Sequence, residues 1–412
     1  MFRGRAQAMG AVAATALVAA TPALSAPRPP GLKPAVDSVE AGLWDLMDKA
    51  EREARQKAEL NTDAALNAYV RDVICKVATE YCGDVRLYVM DRPFFNATMA
   101  PNGYSEVWSG LLLRCEDESE LALVLSHEVT HFSENHSIEA HEADKRRRNA
   151  TMVVAMGIAV VGTVAAAGSA NPQSAQSIMD ATSSLIDVVY LASISSYFRF
   201  SREHETEADI VGLRRMAAAG YSPQAGGTLW RGLIAETTTS DFKRVREQDT
   251  RLGIFDSHPL SPLRAEALDA EAAKLPAPTR VAANRHRAAI RPFLAAWLKD
   301  DLRRRDFGQT LHTIDRLSKA KEDLGVLNFY RGEALRQRGK AGDLANAALA
   351  YQAATEQADA PPAAWRELGE ARRRTGDAAG AKAALATYLS RAPEADDAWM
   401  VRETLDALSK GD

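Results

Sequence analysis

Positive charge is not in excess in this chain of 412 residues: 51 Lys and Arg face 55 Asp and Glu, a net charge of −4. No basic tail or stripe is present, so nucleic acid is excluded as an expected partner. Cysteine is scarce. Only Cys75, Cys82 and Cys115 occur, and an odd count leaves at least one thiol outside any intrachain disulfide. Cys75 and Cys82 either bridge, as an oxidising compartment allows, or join Cys115 as small buried side chains; the bridge is the expectation taken here. Proline is missing from 36–79, and apolar positions there recur by threes and fours (Leu66, Tyr69, Val70, Val73, Ile74, Val77), so the stretch is read as helical. The length exceeds one ordinary core, so more than one domain is expected.

The first apolar run is also too short for one role. "MFRGRAQAMGAVAATALVAATPALSA" sets Arg3 and Arg5 before an Ala/Val-rich core and small residues at Ala23 and Ser25. That is the layout of a secretory signal over 1–25, cleaved after Ser25. The core falls well short of the roughly 20 residues of a spanning helix. No cysteine stands at the cleavage point, which argues against a lipid anchor.

After the helical start the period changes. "DVRLYVMD" alternates Val85, Leu87 and Val89 with polar neighbours, and "GYSEVWSG" reads as a second short strand behind an Asn102-Gly103 turn. From Glu118 to about His136 the spacing is helical again, through Leu121, Leu125 and Phe132. Residues 150–179 contain no charge, which raises the question of a membrane span. Their small side chains, the "KRRR" at 145–148 on the exported side and the site residues on both flanks favour a helical hairpin over 150–198, buried or apposed to a membrane. "LPAPTR" begins a linker, taken as 276–290, and Ala-rich helical pairs fill 291–412. "WRELGEARRRTGDAAGAKAALATYLSRAP" carries Trp365, Leu368, Gly369, Ala381, Leu385 and Pro393 in tetratricopeptide register. A looser copy precedes it at 329–362. Such arrays stack helix pairs around a surface that holds proteins or peptides.

Four of the eight histidines lie in "LVLSHEVTHFSENHSIEAH". His127-Glu128-Val-Thr-His131 is an HExxH motif: on a helix both imidazoles reach one Zn²⁺, and Glu128 reaches a water beside it. A catalytic zinc needs a third protein ligand. The pattern that supplies a histidine ten residues after the first is absent, because Ser137 stands there, so His136 and His141 are not expected as ligands. "SREHETEADIVGL" offers a carboxylate instead. Glu205 and Asp209 stand four apart on one helical face, the first to bind metal and the second to orient a ligand histidine.

HExxH followed by ExxxD, with "NATMAPNGYSEVWSGLL", "ESELALVLSHEVTHF" and "SHPLSPLRAEAL", resembles the HtpX/BepA-like zinc metalloendopeptidases of peptidase family M48, gluzincins related to the CAAX prenyl proteases. The likeness covers about 63–272, and the repeat tail is similar to the periplasmic branch. It implies an α+β, mostly α fold: a metallopeptidase domain over 36–275 with a small sheet and an HExxH helix, then an all-α repeat domain. It implies one Zn²⁺ per chain on His127, His131 and Glu205, with Glu128 as the base. It also implies a periplasmic enzyme acting on misfolded or misassembled envelope proteins, its tail docking protein substrates or assembly machinery. An extended substrate is expected to add beside the edge formed by "GYSEVWSG". His258 either stabilises an oxyanion, takes the open zinc position for a time, or is an ordinary loop residue. The rival reading is a periplasmic chaperone or assembly scaffold with little proteolysis, and the intact Glu128 argues against it.

Overall fold

The computed structural model describes residues 27–142, 200–247, 262–280 and 283–410. The expected signal 1–25, the apolar insert 150–198 and His258 lie outside the described residues. What is described is mostly helical with one small sheet.

Helix α1 (Val39–Ala54) starts at Ser38 and α2 (Ala64–Val77) at Asp63, whose side chains accept hydrogen bonds from backbone N–H groups of the first turn. Such caps satisfy donors that have no partner inside the helix. The stripe predicted for α2 is its buried face, from Leu66 to Val77. A disulfide joins Cys75 near the end of this helix to Cys82, and Cys115 is free and buried.

Three strands follow: β1 (Arg86–Met90), β2 (Ala97–Met99) and β3 (Tyr104–Trp108), in the order β1-β3-β2. Asn102-Gly103 makes the predicted turn between β2 and β3. Gly103 has φ +84°, and a Cβ there would lie 2.0 Å from the carbonyl oxygen of Asp84, so only glycine fits. The expected role of "GYSEVWSG" as a sheet edge is corrected by this order. β3 is the central strand, parallel to β1 and antiparallel to β2. Pairing Val89 with Val107 buries both side chains completely, which draws β1 onto the flank of β3. Among the described residues, the open ladder beside α4 belongs to β2.

Helix α3 (Ser109–Arg114) leads to α4 (Glu118–Ser133), which starts where Asp117 accepts from the N–H groups of Ser119 and Glu120. All 16 residues of α4 are buried. A helix covered on every side is the centre of a core, not a surface element. On it pack α5 (Arg202–Ala218) and α6 (Ala225–Thr239); the short α7 (Lys243–Glu247) follows α6, and α8 (Pro262–Ala272) lies on α5 and α6.

The stretch 276–290, expected as a linker, contains helix α9 (Ala283–Ile290). Its His286 is buried, with Nδ1 3.0 Å from the Tyr69 hydroxyl and Nε2 2.9 Å from the Leu112 carbonyl. Next come α10 (Leu294–Arg303) and α11 (Phe307–Ser318), then α12 (Leu324–Arg338), α13 (Asp343–Thr355), α14 (Ala363–Arg374), α15 (Ala378–Arg391) and α16 (Ala398–Lys410). The later helices pack as antiparallel pairs. Gly332 of α12 lies against the Tyr351 ring of α13, and Gly369 of α14 against Leu385 of α15, so two successive pairs close on the same kind of contact.

Helices α10 and α11 are tied inward by buried charge. Arg114 on α3 donates to Glu236 on α6 at 2.8 Å and to Asp301 on α10 at 2.9 Å. Burial alone would raise the Asp301 carboxyl, but the guanidinium groups of Arg114 and Arg304 overcome it and hold it near 2. Removing one partner leaves a buried charge uncompensated. Asp301→Ala is therefore expected to lower unfolding stability by about 3–5 kcal/mol, read from urea denaturation. A loss below about 1 kcal/mol, the scale of an exposed ion pair, would show that this network does not fasten α10.

Candidate metal centre

Helical spacing turns His127 and His131 to one side of α4, and their Nε2 atoms stand 3.0 Å apart. Opposite them, α5 starts at Ser201, whose hydroxyl accepts from the His204 N–H at 3.2 Å. Its first turn presents Glu205. One carboxylate oxygen of Glu205 lies 3.7 Å from His127 Nε2 and the other 3.6 Å from His131 Nε2. All three side chains are buried, and their ligand atoms fall within 4.8 Å of one another. A tetrahedral zinc with bonds of about 2.0–2.1 Å holds its donors about 3.3 Å apart. Two imidazoles and a carboxylate with these separations fit that ion in both chemistry and size.

The two helices come this close because of one missing side chain. A Cβ on Gly212 would meet the backbone N of His127 at 2.9 Å and its Cα at 3.1 Å. Gly212 is two turns beyond Glu205, so its contact sets the height and tilt at which Glu205 meets the histidines.

Behind these side chains lies a shell of charged and aromatic groups. Asp209 Oδ1 stands 3.1 Å from His127 Nδ1, which favours the proton on Nδ1 and leaves Nε2 its lone pair. Burial would raise the Asp209 carboxyl, yet hydrogen bonds and charge from Arg264 hold it near 2. Arg264 on α8 donates to Asp209 at 2.7 and 2.8 Å, and its Nη1 lies 2.9 Å from Glu205. One guanidinium thus fixes both carboxylates of the ExxxD pair. It lies over the Trp230 ring, 4.8 Å from the centroid.

His131 is held differently. Its Nδ1 is 2.9 Å from Nδ1 of His136, whose Nε2 is 3.4 Å from Glu207. Burial pushes His136 down to about 4, with the neighbouring His204 adding to the effect, so its ring is neutral at physiological pH. A neutral ring can accept at Nδ1 from His131 and donate at Nε2 to Glu207. That tautomer keeps His131 Nε2 free of a proton. The Phe200 ring stacks on His131 with centroids 3.7 Å apart and limits its rotation.

The structure places His127, His131, Glu205 and Asp209 together, with Glu128 buried on α4 next to His127 in sequence. His136 is outside the metal group but supports it. His136 enters the sequence reading only as an excluded ligand, and Arg264, Glu207, Phe200 and Gly212 are given no role there. Arg264 lies in "SHPLSPLRAEAL" and Glu207 and Gly212 in "SREHETEADIVGL", but an isolated glycine in a helix gives no sign of what it packs against.

Adding one methyl group at Gly212 tests this geometry. The Cβ would press on main chain, which cannot swing aside, and overpacking of this kind costs about 1–3 kcal/mol. Gly212→Ala should melt earlier and retain less metal than the parent at limiting zinc, measured by elemental analysis. Parent-like metal content would mean that the α4–α5 contact does not position Glu205.

The family described as Peptidase family M48 matches residues 57–272, more than half of the chain. A putative beta-barrel assembly-enhancing protease of Vibrio cholerae is 28% identical over 183 residues, covering 43% of this chain and 35% of that protein. The mitochondrial metalloendopeptidase OMA1 of Schizosaccharomyces pombe is 30% identical over 173 residues, 39% of this chain and 44% of that protein. The beta-barrel assembly-enhancing protease of Escherichia coli K12 is 24% identical over 193 residues, 46% of this chain and 37% of that protein. The chain thus spans less than half the length of the curated relatives it matches. The matched range runs from just before α2 to the end of α8, encloses both helices of the metal group, and shows that the chain belongs to peptidase family M48.

Proposed function

We propose that this chain is a zinc-dependent metalloendopeptidase that cleaves exported, misfolded or misassembled envelope proteins. The observation that carries this reading is the group of His127, His131 and Glu205, each with its own support, beside the acid Glu128. Bound there, zinc would polarise a peptide carbonyl and acidify a water molecule. Glu128 takes the proton from the attacking water and passes it to the leaving amine. Asp209 and His136 hold the two imidazoles in the tautomer that leaves each Nε2 unprotonated. Arg264 keeps Asp209 ionised and holds both Asp209 and Glu205 in place. An extended substrate pairs with the open side of β2, using backbone hydrogen bonds that do not depend on sequence, and this suits unfolded segments.

The Cys75–Cys82 disulfide supports a periplasmic site, because such bonds persist in oxidising compartments, and the signal-like layout of 1–25 agrees with it. Among the described residues, no helix is long and apolar enough to cross a membrane. We assign protein docking to the stacked helix pairs of the tail, a tetratricopeptide-like array. Its separable part is α12–α16, since α9–α11 are bonded into the core around α4. The assembly-enhancing names of two relatives are consistent with a partner in envelope assembly.

Glu128→Gln removes the base and leaves the three ligands. It should hold zinc at parent levels while casein and short-peptide cleavage fall to background. Retained cleavage would sink the mechanism. Asp209→Asn should keep metal at saturating zinc but lose about 10–100-fold in activity or zinc affinity, the usual effect of removing the partner of a ligand histidine. A fully active Asp209→Asn enzyme would reduce that carboxylate to a packing role.

A further inference from the structure

The tail contains a cavity of about 560 Å³, within the range of about 300–1,000 Å³ found for sites that enclose small ligands. Its wall is built from the first helix of three successive pairs: α10 through Lys299 and Arg303, α12 through Phe329 and Tyr330, and α14 through Arg366. That places it on one continuous face of the stack. Phe329 and Tyr330 are each 9% exposed and meet edge to face, with centroids 5.1 Å apart, which gives the cavity an aromatic floor.

The rim is cationic. Of the charged side chains lining the cavity, only Glu333 is acidic. That carboxylate already accepts from Arg336 at 2.6 Å and from the Tyr351 hydroxyl at 2.7 Å. Arg366 is likewise engaged, with Glu367 and Asp397. Arg303 pairs with Asp300, but its side chain is 70% exposed, so water screens the pair and a ligand can compete for it. Lys299 and Arg305 have no ion pair among the described residues. In a chain of net charge −4, this excess of positive charge is a local arrangement.

Arg305 is notable for its backbone as well. It follows the last turn of α10 with φ 59°, a left-handed conformation that glycine takes at helix ends without strain. An arginine there is held against its own preference, and such positions concentrate where the side chain has work to do. Its guanidinium lies over the Phe307 ring, 5.9 Å from the centroid, and lines the cavity.

We propose that this cavity docks an extended peptide segment bearing Asp or Glu side chains, whose carboxylates meet Lys299, Arg303 and Arg305 while an apolar neighbour covers Phe329 and Tyr330. The proposal rests on the reading of the tail as a docking array and gives that array a substrate class. It does not depend on the zinc chemistry.

The test measures fluorescence anisotropy with the full-length Glu128→Gln chain, which leaves the probe uncut. The probe is a labelled nonapeptide alternating Asp with Leu, compared with the same peptide carrying Asn for Asp. The acidic peptide should bind at least tenfold tighter, and the advantage should shrink as salt rises, because the rim is exposed. Lys299→Glu with Arg305→Glu should cost at least tenfold for the acidic peptide alone. Arg305→Gly should weaken binding while raising the melting temperature, since it relieves the left-handed strain; a simple loss of fold would lower both. Arg374→Glu, exposed on α14 outside the cavity, should bind like the parent.

Equal binding of both peptides would overturn the acidic preference while leaving the docking array in place. Absence of binding to either would remove both. Parent-like affinity in the folded double variant, or an equal loss in Arg374→Glu, would show that the cavity is not the site. Displacement of the peptide by an oligonucleotide of the same charge at lower concentration would make the surface a polyanion site and overturn the proposal as well.

Discussion

The approach of α5 to α4 over Gly212 is the contact on which the rest of the molecule depends. Glu205 and the histidine pair come from helices separated in sequence by the whole insert, so no local spacing can bring them together. They meet because a residue without a side chain lies against the backbone of His127. Once this separation is set, the Nε2 atoms and the Glu205 carboxylate fall at distances suited to one small tetrahedral ion. The complete burial of α4 follows from the same arrangement. The sheet, α2, α5 and α6 all pack on it, and the α9–α11 segment closes the far side.

Burying so much charge is unfavourable unless each group has a partner. The molecule meets this demand with arginines that each serve two acids. Arg264 serves Asp209 and Glu205, and Arg114 serves Glu236 and Asp301. The first arrangement pairs two buried carboxylates with one cation next to the imidazoles. The second joins α10 to the enzyme core, so the tail grows outward from a base that is already part of that core.

Much of this was legible in the sequence where a short-range rule applies. HExxH and ExxxD place side chains by helical spacing alone, and the burial of Leu66 to Val77 follows from period. The Asn102-Gly103 turn follows from glycine's access to positive φ, and the helix pairs of the tail follow from their repeated Gly and aromatic positions. What was not legible depends on contacts across the fold. The three residues of β2 are too few to show a period, so the central place of β3 could not be foreseen. His136 is excluded as a ligand by its spacing, but only its distance to His131 reveals that it supports one. The α9 helix lies in a stretch whose Pro and Ala content reads as linker, and it is fixed by long-range contacts of the buried His286, Arg287 and Ile290.

X-ray absorption at the zinc edge of the loaded full-length protein, with metal counted by elemental analysis, tests the centre most directly. One zinc per chain is expected, with two imidazole nitrogens and oxygen donors at about 2.0–2.2 Å and no sulfur. Glu205→Ala should lose an oxygen donor and most of the bound metal. A sulfur neighbour, a third imidazole in the parent, or an unchanged spectrum in Glu205→Ala would contradict the placement of the metal between α4 and α5.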